Sequence, residues 1–123
     1  MNDYLLEHPD KAARELGLIV LRPTRQELFI DLDSPDASTA FEALWDFFDG
    51  WEPGAKITAN RPSRTAGHRH VVVDLGRPVK DATERVLLQL VLGSDRKREF
   101  LSLKRIEHGF DDADVTVFFE KLA

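Results

Sequence analysis

Two aspartates one residue apart, Asp31 and Asp33, close the run Phe29-Ile30-Asp31-Leu32-Asp33, which reads as a β-strand. Side chains alternate along an extended chain, so Leu28, Ile30 and Leu32 face one way and Phe29, Asp31 and Asp33 the other. Two carboxylates on one side of a strand end are hard oxygen ligands suited to Mg²⁺ or Mn²⁺. Metals held in this way neutralise phosphate charge and lower the pKa of an attacking hydroxyl, which is the basis of metal-assisted phosphoryl transfer. The plainer reading is a solvated strand end at which Asp33 and Ser34 open a turn or helix cap.

A second constellation runs from Arg61 to His70 and continues into Val71-Val72-Val73-Asp74. Its arginine forks, hydroxyls and flexible glycine suit a bound phosphate chain, and a histidine at the start of the next strand can donate to it. The candidate phosphate ligands are Ser63, Arg64, Arg69 and His70. A metal site built on His68 and His70 lacks a third ligand nearby in sequence, and the structural reading is a basic hairpin loop. Charge is unevenly spread: residues 1–55 carry 4 basic and 12 acidic groups, residues 56–105 carry 12 and 5, and residues 106–123 carry 1 and 5. Fields between exposed charges are screened within about 10 Å at ordinary salt, so a basic middle in an acidic chain points to a local phosphate site or to a solvated helix face.

The surrounding pattern supplies elements to hold these residues. Pro9 to Leu16, followed by Gly17, reads as a helix; Leu18–Arg22 and Glu27–Asp33 read as strands joined in a hairpin by Pro23-Thr24-Arg25-Gln26. Ser34 to Ser38 offers helix caps, and Phe41, Leu44, Trp45 and Phe48 recur at helical spacing until Gly50. Ala55–Asn60 and His70–Leu75 are strands flanking a polar loop, with Val71, Val73 and Leu75 on one face and His70, Val72 and Asp74 on the other. Asp81 with Glu84 is a capping box for a helix reaching Gly93; Ser94 or Asp95 caps another that stops at Gly109; Val115 to Phe119 alternates as a last strand. The expectation is an α+β protein: a mostly antiparallel sheet with helices packed on it. From Glu27 onward the order βαββ(αα)β approximates an RRM-like core, preceded by an N-terminal helix and strand.

The 123 residues, 42% hydrophobic and 32% charged, suit one globular domain over 1–123, with residues 1–22 as an extension and 27–119 as the core. The absence of cysteine rules out disulfides and Cys-built zinc sites and suits a reducing compartment. No apolar run nears the ~20 residues of a membrane span, and Met1-Asn2-Asp3-Tyr4 lacks a basic signal-peptide start, so the expected location is cytoplasmic, with no membrane partner.

Taken together, the Asp31-Leu32-Asp33 strand, the following helix and the Ser63…Gly67-x-x-His70 segment opening Val71-Val72-Val73 resemble the catalytic core of the archaeo-eukaryotic primase superfamily. That superfamily carries an hhDhD/E strand, an sxH-type motif and a third acidic residue downstream, for which Gly93-Ser94-Asp95-Arg96-Lys97-Arg98-Glu99 is placed. The arrangement is similar to short phage-encoded primase-like proteins, and the resemblance covers roughly residues 27–105. It implies Asp31, Asp33 and Asp95 as ligands of Mg²⁺ or Mn²⁺, with Asp74 a rival for the third position, and His70 as a contact to nucleotide phosphates. Arg96, Lys97 and Arg98 are candidates for nucleic-acid contact, together with Lys104 and Arg105, or else form a wet helix face. The partners implied are a nucleoside triphosphate, single-stranded or template DNA, and a helicase or other replication protein, in a bacterial or phage-infected cell. Ser63 and His70 stand further apart than in the compact form of the motif, and His68 falls where an aromatic or aliphatic residue is usual. Phe29 to Ser34 also resembles the first motif of haloacid-dehalogenase phosphatases, although hairpins and short length disagree with that fold. A metal nuclease uses the same carboxylates. The rival of another class is a non-catalytic nucleic-acid or protein-binding module on an RRM-like frame, with Phe29 as its one evident stacking aromatic.

Overall fold

A computed structural model describes residues 7–121; the start Met1–Tyr4, read above for a signal peptide, lies outside them. Among the described residues the order is α1 (Pro9–Leu16), β1 (Leu18–Leu21), β2 (Glu27–Leu32), α2 (Pro35–Trp51), β3 (Lys56–Pro62), β4 (Arg69–Asp74), α3 (Ala82–Val91), α4 (Arg96–Glu107), α5 (Asp112–Val115) and β5 (Phe118–Lys121). The chain is α+β, with every strand pair antiparallel. No helix among the described residues is long and apolar enough to cross a membrane.

Local chemistry accounts for most boundaries. Pro9 sits in the first turn of α1, and Gly17 ends it at φ 68°, where its N–H reaches back to the last carbonyls. Ser34 caps α2 by accepting from the Ala37 N–H at 3.0 Å. Asp81 accepts from Glu84 N–H at 2.8 Å, and the Glu84 carboxylate returns to the Lys80 N–H at 2.8 Å, one residue earlier than in a strict capping box. Helix α2 runs through Gly50 to Trp51 instead of stopping at Gly50, because the barrier is Pro53 just beyond it.

Three strands form one sheet in the order β2-β4-β3, and β1 pairs with β5 in a separate ribbon. The hairpin expected between β1 and β2 is therefore absent, and the last strand begins at Phe118 because Asp112–Val115 winds into a short helix first. The free flank of β2 shows why no strand joins it: its outward backbone groups are already bonded. The Arg85 guanidinium donates to Glu27 O at 2.9 Å, Gln89 Oε1 accepts from Phe29 N–H at 2.8 Å, and the Arg98 guanidinium donates to Phe29 O at 2.5 Å. Ser94 Oγ accepts from Asp31 N–H at 3.0 Å, and the Asp95 N–H donates to Asp31 O at 2.7 Å. Buried backbone groups require partners, and here polar residues of α3 and α4 stand in for a neighbouring strand.

The pleat separates two cores. Leu28, Ile30, Leu32, Val71 and Val73 pack under Phe41 and Phe48 of α2. On the opposite face Phe29 and Val72 meet Phe118 of the β1–β5 ribbon. Phe118 stacks parallel to Phe29 at 4.4 Å between ring centroids, and to His70 at 3.9 Å. One further contact fixes a turn: Gly76 has φ 78°, and a Cβ there would come within 2.6 Å of Gly54 O, so only glycine fits.

Candidate functional site

The period-two reading of β2 and β4 places Asp31 and His70 on one face, and the strand register makes them direct cross-strand partners. His70 Nε2 lies 4.0 Å from an Asp31 carboxylate oxygen. His70 Nδ1 lies 2.9 Å from Glu120 Oε2. An ionised carboxylate only accepts, so Nδ1 carries the proton and, in the neutral ring, Nε2 is left as the acceptor turned toward Asp31. Burial holds the His70 pKa below its ordinary value, against the opposing pull of Glu120 and Asp31, which favours that neutral ring. Burial pushes the Glu120 carboxyl up, but the hydrogen bonds from His70 and Arg61 outweigh it and leave its pKa below the usual range. Arg61 Nη2 closes the outer side of Glu120 at 3.0 Å.

The loop between β3 and β4 folds down beside this pair. It is knit internally: Ser63 N–H donates to His68 O at 3.0 Å, His68 N–H to Thr65 O at 3.1 Å, and Ser63 Oγ accepts from Thr65 N–H at 3.1 Å. Ser63, Arg64, Thr65 and His68 of this loop line a cavity of ≈ 170 Å³ together with Asp31, His70, Arg98, Arg105 and Phe118. Of the expected site residues, Asp31, Ser63, Arg64 and His70 line this cavity, whereas Asp33, Arg69 and Asp95 do not.

Other candidates lie elsewhere. Strand β2 ends at Leu32, so Asp33 is an exposed residue next to the α2 cap, outside the ladder that fixes Asp31. Asp95 caps α4, its carboxylate accepting from Lys97 N–H at 3.3 Å, and its link to Asp31 is through the backbone. Asp74 pairs with Glu27 at the far end of the strands and accepts from Gly76 N–H at 2.8 Å, which removes it as a rival third ligand. Arg69 shares the α2 face with Val71, where its guanidinium bonds Asn60 Oδ1 at 2.6 Å, so it does not line the phosphate candidate's cavity. Arg96 and Lys97 are exposed on the first turn of α4. Arg98, grouped with them from sequence, turns inward to Phe29 O and to Glu99 at 2.6 Å, beneath the surface a nucleic acid would touch.

Among the described residues no three of His, Asp and Glu are placed to hold a metal ion. Of the two strand-end carboxylates, Asp31 lines the cavity and Asp33 does not. Phe29 is 3% exposed against Phe118, so the stacking aromatic of the RNA-binding alternative is closed to bases.

Sequence reasoning missed Glu120, the pairing of Arg61 with it, and the inward placement of Arg105, which was grouped with the exposed cations of its helix. Each acts through β5 or the segment before it, and no local spacing reveals which strand β5 joins. One sequence signal was available for the buried polar layer: Gln89 interrupts the run Leu87-Leu88-Gln89-Leu90-Val91, and a polar residue at that position needs a buried partner. Compared with protein-family models, curated proteins and solved structures, the chain matches none.

Proposed function

We propose that this chain is a primase-polymerase-like protein that binds a nucleoside triphosphate with Mg²⁺ or Mn²⁺ and acts in DNA replication, as a minimal or degenerate catalytic core. The observation that carries the reading is the cross-strand pairing of Asp31 with His70 beside a loop rich in phosphate donors. When bound, the metal neutralises phosphate charge and activates a sugar hydroxyl. Asp31, which lines the cavity, and Asp33, exposed just past the strand end, would hold it. His70, with Nδ1 fixed by Glu120, offers Nε2 to a phosphate oxygen once that nitrogen is protonated, and Ser63 and Arg64 donate from the loop. Single-stranded or template DNA is the second substrate, reached across Arg96 and Lys97, and a helicase or similar replication protein is the partner.

Calorimetry with Mn²⁺ and a nucleoside triphosphate tests this. Weak, metal-dependent binding is expected for the native chain and none for Asp31→Ala with Asp33→Ala. Equal affinity in that double variant, or no binding by the native chain, leaves the interaction-module reading in its place.

A further inference from the structure

Two arginines line the same cavity, and each has a buried N–H without an acceptor among the described residues. Arg105 is 7% exposed, donates from Nη1 to Val115 O at 3.1 Å, and has no acceptor at Nε among the described residues. Arg98 spends Nη1 on Phe29 O and Glu99, while its buried Nη2 also lacks an acceptor. Glu99, fully buried, balances one of these charges; no carboxylate of the described residues lies within ion-pair distance of Arg105. A buried guanidinium N–H without a partner costs free energy, and such groups are nearly always paired with something. Burial and the neighbouring Arg98 charge hold the Arg105 pKa below its usual value against the weaker pull of Asp114, and the one carboxylate in the cavity lining is Asp31.

We infer that Arg98 and Arg105 form a receptor for a single phosphate group that works without a metal ion. Planar guanidinium forks suit phosphate oxygens, Arg64 adds a third positive charge at the mouth, and the Ser63 and Thr65 hydroxyls stand beside it. The cavity, at ≈ 170 Å³, is smaller than the ~300–1,000 Å³ of ordinary ligand pockets, so it encloses one compact group and leaves the body of a larger ligand outside. The site rests on the reading above for what carries the phosphate, but it requires neither Asp33 nor a cation. Its ligand is either free phosphate or a phosphate monoester.

The test titrates the full chain, in EDTA and at fixed ionic strength, with inorganic phosphate, a nucleoside monophosphate and the unphosphorylated nucleoside, following the arginine Nε–H signals by NMR. Both phosphates should bind and shift the Arg105 Nε–H signal, and the nucleoside should not. Tighter binding of the monophosphate identifies the monoester as ligand; tighter binding of inorganic phosphate identifies the free ion. Arg105→Lys should weaken binding about tenfold, the loss of one charge-assisted contact. Should that variant not fold, Arg64→Ala, an exposed change, should weaken binding several-fold while Lys56→Ala, which removes the same charge at the distant end of β3, leaves it unaltered. Absence of binding in EDTA, an unmoved Arg105 signal, or equal effects of Arg64→Ala and Lys56→Ala would overturn the inference. Metal-dependent triphosphate binding that persists alongside such a failure would remove this receptor and leave the proposed function standing.

Discussion

His70 sits between two carboxylates yet is held toward its neutral form, because removing the ring from water outweighs the attraction of Glu120 and Asp31. The sign of its contribution to stability follows from that. Its folded pKa lies below the ordinary 6.5, so the unfolded chain binds more protons in the interval between the two values. The stabilising contribution is complete above pH 6.5 and is lost as pH falls through the folded value. Glu120, also depressed from its ordinary 4.5, adds a second loss further into acid. Urea unfolding followed from pH 8 to pH 4 should show the midpoint begin to drop near 6.5, and His70→Gln should flatten that first step; an unaltered profile in the variant would assign the step to another group. Asp31 and His70 were legible in the sequence because a period of two decides which residues share a face. Glu120 was not, since its contact depends on a ribbon that joins residues 18–21 to 118–121.

At the scale of elements, Pro9 and Gly17 announced α1 and capping residues announced α2, α3 and α4, whose observed starts follow Ser34, Asp81 and Asp95. Strand partners were less legible. Leu18–Leu21 and Glu27–Leu32 look like a hairpin because the connection is short, but the flank of β2 is claimed by α3 and α4. Ser94, read as a cap, Asp95, read as the third carboxylate, and Arg98, read as a nucleic-acid contact, serve that flank and so fix the backbone that carries Asp31. Gln89 makes two of these buried bonds, to Phe29 N–H and to the fully buried Glu99 at 2.9 Å. Gln89→Leu strands both partners and should cost about 2–4 kcal/mol, whereas Ser94→Ala, which removes the bond from Asp31 N–H and a longer one from Arg98 at 3.4 Å, should cost about 1–2 kcal/mol. Chemical denaturation of both variants checks the order, and a Gln89→Leu chain as stable as the native one would show that β2 does not depend on this side chain.

For the molecule as a whole, the α+β class followed from hydrophobic periodicity, but the division into a three-stranded sheet and a separate ribbon did not. Phe118 is the main apolar tie between them, in contact with Phe29 and His70. Phe118→Ala should therefore cost about 3–5 kcal/mol, the usual range for a buried aromatic, and both sheets should still melt in one transition. Calorimetry resolving two transitions in the native chain would contradict that coupling. The sealed flank of β2 has a counterpart across the sheet, where β3 ends in Pro62, starts at exposed Lys56 and breaks register between Ile57 and Ala59. An incoming strand thus finds occupied hydrogen-bonding groups on one side and a kinked, charged template on the other. Fibril growth from this sheet must wait until α3 and α4 detach, so thioflavin-positive aggregates should form sooner from Gln89→Leu than from the native chain.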